Sequence, residues 1–191
     1  MPPLLSGWIE NKRLKMVRPY IRGDILDIGC GRAAALSMIR PDQEYVGVEL
    51  HPEYHRSKAN LLGRISFVTL DLDREPLPLG RRFDTILMLA VVEHLANPDR
   101  VLSQLRLLTT GEARVLITTP TPLGHLLHRL GARLGLFWRS AVEEHRWAFS
   151  RSALAERLER SGLKVLLHRY FQLGGNQLFV CAISATTEQP K

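Results

Sequence analysis

The stretch "ILDIGCGRAA", Ile25 to Ala34, decides the fold. An apolar run stops at two glycines, Gly29 and Gly31, and carries one carboxylate, Asp27, inside it. A short apolar run ended by glycine reads as a buried strand. A glycine turn between such a strand and the next helix lets a ligand approach the backbone closely. It also aims backbone N–H groups at that ligand. Many nucleotide binders share this arrangement, and the acids that follow narrow it.

Outward from this stretch, strand-like and helix-like segments alternate, which predicts an α/β domain with a mostly parallel sheet. "EYVGVEL" (44–50), "ISFVTLD" (65–71), "FDTILMLA" (83–90) and "EARVLITTP" (112–120) read as further strands. Helices are expected over 4–21, over "RAAALSMIR" (32–40) up to Pro41, near 52–62, over 98–109 and over 150–162. "LKVLLHRYF" (163–171) and "QLFVCAIS" (177–184) flank "QLGGN", whose turn chemistry predicts an antiparallel hairpin. Residues 121–149 break the pattern. Leu126, Leu127, Leu130 and Leu134 share one helical face, with Arg129 and Arg133 elsewhere, so the segment is amphipathic and basic.

Length and composition agree with this outline. A chain of 191 residues, 45% hydrophobic and 24% charged, suits one globular domain, read as 1–191. No apolar run is long enough to span a membrane. The N-terminus lacks the order of charge, apolar core and cleavage site of a secretory signal. Cys30 and Cys181 stand far apart and form no disulfide or metal framework. These points predict a reducing, cytoplasmic home. The net charge of +7 lies at the periphery: residues 1–22 hold five Lys/Arg against one Glu, and 125–169 hold nine against four. That distribution suits an acidic substrate, an anionic membrane surface or nucleic acid.

Acids close the second and third strands. Glu49 stands where a carboxylate can accept hydrogen bonds from ribose hydroxyls, and Asp71 where one can accept from an adenine amino group. "ILDIGCG", "YVGVEL", "FVTLDLD" and "FDTILMLAVVEHLANPDRVL" resemble, in order and spacing, the motifs of class I S-adenosylmethionine-dependent methyltransferases, closest to the small-molecule type with an "EH" after strand four. The resemblance covers about 23–120, and the final hairpin extends it. It implies a Rossmann-like, seven-stranded, mostly parallel sheet with an antiparallel last strand and helices on both faces.

The resemblance also implies S-adenosyl-L-methionine as cofactor, with roles residue by residue. Gly29 and Gly31 would pass under its methionine part, and Asp27 would anchor the loop and accept from its amino group. Glu49 would bind the ribose, with Leu50 on the adenine. Asp71 would receive the adenine amino group, with Leu72 beside the ring. Leu89 and Ala90 would line the methionine pocket. Ala33 departs mildly from the family, which often has glycine there.

Methyl transfer calls mainly for positioning; where an oxygen nucleophile also needs a general base near operating pH, histidine fits. His94 is the first candidate and His145, in "EEHRW", the second. Residues 121–149 are read as a substrate lid, with the leucine face, Trp138, Trp147 and Phe149 suiting an apolar or aromatic acceptor or a core contact. The acceptor is expected to be a small molecule, anionic or lipid-like, with peripheral membrane contact as one arrangement. The oligomeric state is left open.

Three other readings compete with this one. "GCGRAA" also fits a nicotinamide-dependent oxidoreductase, and Tyr54 and Lys58 match its Tyr-x-x-x-Lys, but that pair follows the wrong strand. Nucleic acid is disfavoured, because no Asn/Asp-Pro-Pro-aromatic motif and no nucleophilic cysteine follow strand four; other RNA methylation chemistries stay open. A non-catalytic cofactor-binding module would keep the same fold. The pairs His51/His55 and His125/His128 lack a third metal ligand of recognisable spacing, so a metal-free mechanism is expected.

Overall fold

The computed structural model describes residues 6–51, 64–77, 80–133 and 146–184. Strands β1 (Ile25–Ile28), β2 (Tyr45–Glu49), β3 (Ile65–Thr69), β4 (Phe83–Leu89), β5 (Thr109–Pro120), β6 (Leu163–Phe171) and β7 (Asn176–Ile183) form one sheet. Its order is β3-β2-β1-β4-β5-β7-β6. The first five strands pair in parallel. β7 runs antiparallel between β5 and β6, so the hairpin read from "QLGGN" forms as expected. The chain order reverses between β1 and β4, and their carboxyl ends frame the crevice where such sheets bind ligands.

Strands buried on both faces read as continuous apolar runs, and β1 is buried at all four positions. One face packs Leu26, Ile28, Ile86 and Met88 against helices α2 (Pro98–Leu105) and α4 (Arg151–Arg160). The other packs Ile25, Tyr45, Leu87 and Leu116 against α1 (Ser6–Val17). Helix α2 buries Val101, Leu102 and Leu105, with Leu108 in the following 3₁₀ turn, as the apolar spacing predicts. Asn97 caps α2 by accepting from Arg100 N. Ser150 caps α4 through Ala153 N at 3.2 Å.

One expected helix is absent. Residues 32–40 form a 3₁₀ segment over Ala34–Met38 instead of an α-helix. Ala33 precedes it at φ 51°, in the left-handed region, and Pro41 follows shortly after. Too few residues remain between them to nucleate α-helix. The helix expected near 52–62 lies outside the described residues. Strand β5 begins at Thr109, ahead of the expected start, with a register shift against β4 between Phe83 and Thr85.

The 121–149 segment opens with α3 (Pro122–Arg133). Its first turn is docked on the β6–β7 turn. Thr121 N donates to Gly175 O at 3.0 Å, and Thr121 Oγ1 donates to Gly174 O at 2.7 Å. Gly124 is in such close contact that a Cβ there would lie 1.7 Å from Gly175 O. Gly124→Ala is therefore expected to cost about 1–3 kcal/mol through overpacking against backbone. Thermal unfolding checks this, and an unchanged melting temperature would show that α3 does not need this contact.

Candidate functional site

The site begins where β1 ends. Gly29, at φ 66°, turns the chain so that Gly29 N and Cys30 N both donate to Val48 O, at 2.8 and 3.0 Å. A Cβ on Gly29 would lie 2.5 Å from Val91 Cγ2, so no larger residue fits. Gly31 N then donates to Glu49 Oε2 at 2.8 Å. Glu49 Oε1 accepts from Leu50 N at 2.8 Å and His51 N at 3.3 Å. An ionised carboxylate offers about four acceptor positions. Glu49 thus ties the glycine loop to the end of β2 and keeps about one position for a ligand hydroxyl.

Asp27 is buried beneath this loop and accepts from Tyr45 Oη at 2.7 Å. Burial pushes its carboxyl up to about 7; the Tyr45 bond pulls it down, and nearby Glu49 adds to the rise. Asp71 organises the next turn: its Oδ1 accepts from Asp73 N at 3.0 Å, and its Oδ2 pairs with Arg74 at 3.4 Å. Asp73 Oδ1 accepts from Ala96 N at 2.7 Å, which joins this turn to the segment after β4.

These elements enclose a cleft of about 650 Å³. Gly29, Glu49, Leu50, Asp71, Leu72 and Ala90 line it, and so does His94. A smaller cavity of about 170 Å³ shares Gly29 and is lined by Asp27, Gly31, Leu89 and, from α1, Glu10 and Arg13. The structure therefore divides the candidate residues: Leu89 and Asp27 face the smaller space, and Ala90 the larger. His145 lies outside the described residues. Its neighbour Arg146 lines the main cleft and approaches Asp73 at 3.9 Å. Arg146 N and Trp147 N both donate to Glu93 O, so the chain after 145 returns over the segment following β4.

Sequence reasoning missed Asp73, Glu93 and Arg146, and offered Arg13 only as one of several basic residues able to meet an anion. Glu93 is fully buried, and neither carboxylate oxygen completes a hydrogen bond among the described residues. Burial pushes its carboxyl above the usual range, against the pull of His94, of Arg13 and of the nearby Thr119 hydroxyl, which stands short of a well-formed hydrogen bond. Arg13 Nε, Thr118 Oγ1, Thr119 Oγ1 and Asn176 Oδ1 are also buried without a partner among the described residues. Burying polar groups unpaired is costly, and of these groups Arg13 lines the smaller cavity. The "EH" pair was the one available signal for Glu93.

The donor set fits a cationic nucleoside cofactor. Asp27, Glu49, Asp71 and Asp73 suit an ammonium and hydroxyls and would oppose a pyrophosphate. Arg13 offers an unpaired N–H for a carboxylate. A parallel sheet switched at β1/β4, with this glycine loop and these acids, defines the class I S-adenosylmethionine-dependent methyltransferases. The chain belongs to the methyltransferase-domain family, whose model matches residues 10–168, and S-adenosylmethionine is its cofactor.

Solved structures agree on the fold. A SAM-dependent methyltransferase from Aquifex aeolicus superposes with TM-score 0.66 at 18% identity, covering 90% of this chain and 89% of that one. A TehB-like SAM-dependent methyltransferase from Corynebacterium glutamicum gives 0.65 at 16%, covering 90% and 87%. The mitomycin 7-O-methyltransferase MmcR gives 0.70 at 19%, covering 93% of this chain and 55% of that longer one. The comparison with curated proteins finds no match.

Asp27 yields a pH prediction. Its carboxyl holds a proton more tightly folded, at about 7, than at its ordinary 3.8. Stability therefore falls as pH rises between these values, and the contribution is gone above about 7. Asp27→Asn removes this dependence while keeping an acceptor for Tyr45. The variant should gain on wild type by up to roughly 4 kcal/mol between pH 4 and 8 without ligand. Parallel stability curves for the two proteins would contradict a buried, titrating Asp27.

Proposed function

We propose that the protein transfers a methyl group from S-adenosylmethionine to an oxygen of a small-molecule or lipid-linked acceptor. The observation that carries this reading is the shared cleft: His94 lines the same space as Gly29, Glu49 and Asp71. An imidazole thus borders the space the cofactor would fill, where a base for oxygen methylation would stand. Oxygen is also the acceptor atom in the fold relative MmcR, a mitomycin 7-O-methyltransferase.

When bound, the cofactor supplies an activated methyl on a sulfonium, which leaves as a neutral thioether. The chain supplies orientation. Gly29 and Gly31 bring the backbone close beneath the methionine part. Asp27 accepts from the amino group, and Arg13 donates to the carboxylate. Glu49 holds a ribose hydroxyl with its remaining acceptor position, with Leu50 packing on the adenine. Asp71 accepts from the adenine amino group, with Leu72 beside the ring. His94 would accept the acceptor's hydroxyl proton, with His145 a second base in the same reading. In this reading the 121–149 segment would serve as the substrate lid of a single domain.

These roles separate by ligand. S-adenosylhomocysteine carries the amino acid part, and 5′-methylthioadenosine lacks it. Arg13→Ala should weaken the first by about tenfold, corresponding to about 1.4 kcal/mol, and leave the second unchanged in calorimetric titration. Equal losses for both ligands would place Arg13 outside the methionine subsite. Glu49→Ala should weaken both ligands by about 1.5–3 kcal/mol, the worth of a charge-assisted contact. Affinity unchanged for both would confine Glu49 to holding the loop.

A further inference from the structure

The β6–β7 turn carries a residue that neither turn chemistry nor water explains. Gln172 and Leu173 stand at φ 52° and 56°, two successive non-glycine residues in the left-handed region. Hairpin turns of this hand favour Asn, Asp and Gly. Leu173 is 100% exposed, so its side chain has no packing to offset the conformation.

Three elements gather more apolar surface at the same place. Thr121 and Gly124 dock α3 on the turn. Gln172 Nε2 donates to Ile9 O at 3.2 Å and docks α1 on it. Leu123, Leu126 and Leu127 on α3 and Trp8 on α1 are each about half exposed. Their spacing on α3 puts the three leucines on one helical face. Contiguous exposed apolar surface of this kind marks a contact.

The charge around it selects the partner. Lys12 Nζ lies 5.7 Å from the Trp8 ring centroid. Lys15 and Arg18 are exposed further along the chain, and Arg169 is exposed on β6. Across α1, α3 and the turn the sequence contains one acid, Glu10. A second copy of this chain would bring like charges together. Exposed leucines, a tryptophan and a basic surround match an anionic bilayer surface, where apolar groups enter the headgroup boundary and cations meet acidic lipids.

We propose that Leu173, the Leu123/Leu126/Leu127 face and Trp8 form a docking surface for an anionic membrane. Helix α1 also lines the smaller cavity through Glu10 and Arg13, so docking sets the cofactor crevice beside the bilayer. The surface deepens the reading of a lipid-linked acceptor and does not require it.

Flotation with phosphatidylglycerol/phosphatidylcholine vesicles, beside pure phosphatidylcholine vesicles, tests this on the full chain. Wild type should float with the anionic vesicles at least tenfold more than with the neutral ones, and release as salt rises. Leu173→Asn suits the left-handed position, so its melting temperature should equal or exceed wild type while binding falls at least fivefold. Leu126→Gln should lower binding similarly. Absence of anionic-vesicle binding by wild type overturns the proposal, and so does unchanged binding by folded Leu173→Asn. A concentration-dependent dimer that Leu173→Asn dissociates would assign the face to a second copy and overturn it as well. S-adenosylhomocysteine affinity, measured alongside, reports separately on the methyltransferase reading.

Discussion

A carboxylate in the first strand of the sheet lies under a glycine loop, with one tyrosine hydroxyl donating to it. The Tyr45–Asp27 bond spans 2.7 Å in the core, and burial pushes the acid up to about 7. A buried acid with one neutral partner carries an unfavourable charge near neutral pH. A cation placed above it would remove that penalty, which is the electrostatic reason a sulfonium cofactor with an ammonium group suits this loop. The rest of the site follows from the same few bonds. Glu49 reaches back to Gly31 N and fixes the loop over Asp27. Gly29 admits no side chain because Val91 closes on it from beyond β4.

Much of this was legible in the chain. The central strands β1 and β4 are near-continuous apolar runs, because a parallel sheet covered on both faces buries almost all their positions. The α2 helix follows from its apolar spacing, and the final hairpin from "QLGGN". Residues 32–40 misled, because their composition favours helix and nothing local announces that Ala33 sits in the left-handed region. That conformation also gives the Ala33 departure a physical meaning: the family's usual glycine would take this φ without strain.

The site was legible as residue types and less so as bonds. Glu49 and Asp71 stand at the strand ends that the spacing implies. Their carboxylates also hold backbone N–H groups, which no spacing reveals. Arg13 and Arg146 reach the cavities from α1 and from the segment after 145, across long stretches of chain. Such contacts depend on packing between remote elements, so a local pattern does not encode them. Glu93 sits inside a recognised "EH", yet its burial without a completed hydrogen bond emerges only from the fold.

Asp27 is taken to titrate beneath the loop, and a cationic cofactor would draw it into the charged form. Calorimetric titration of the wild-type protein with S-adenosylmethionine, in buffers of different ionisation enthalpy, tests it most directly. The account predicts binding with proton release near pH 6.5 that fades by pH 8.5, where Asp27 is already ionised. Failure of the folded protein to bind, or heat independent of buffer at the lower pH, would contradict it.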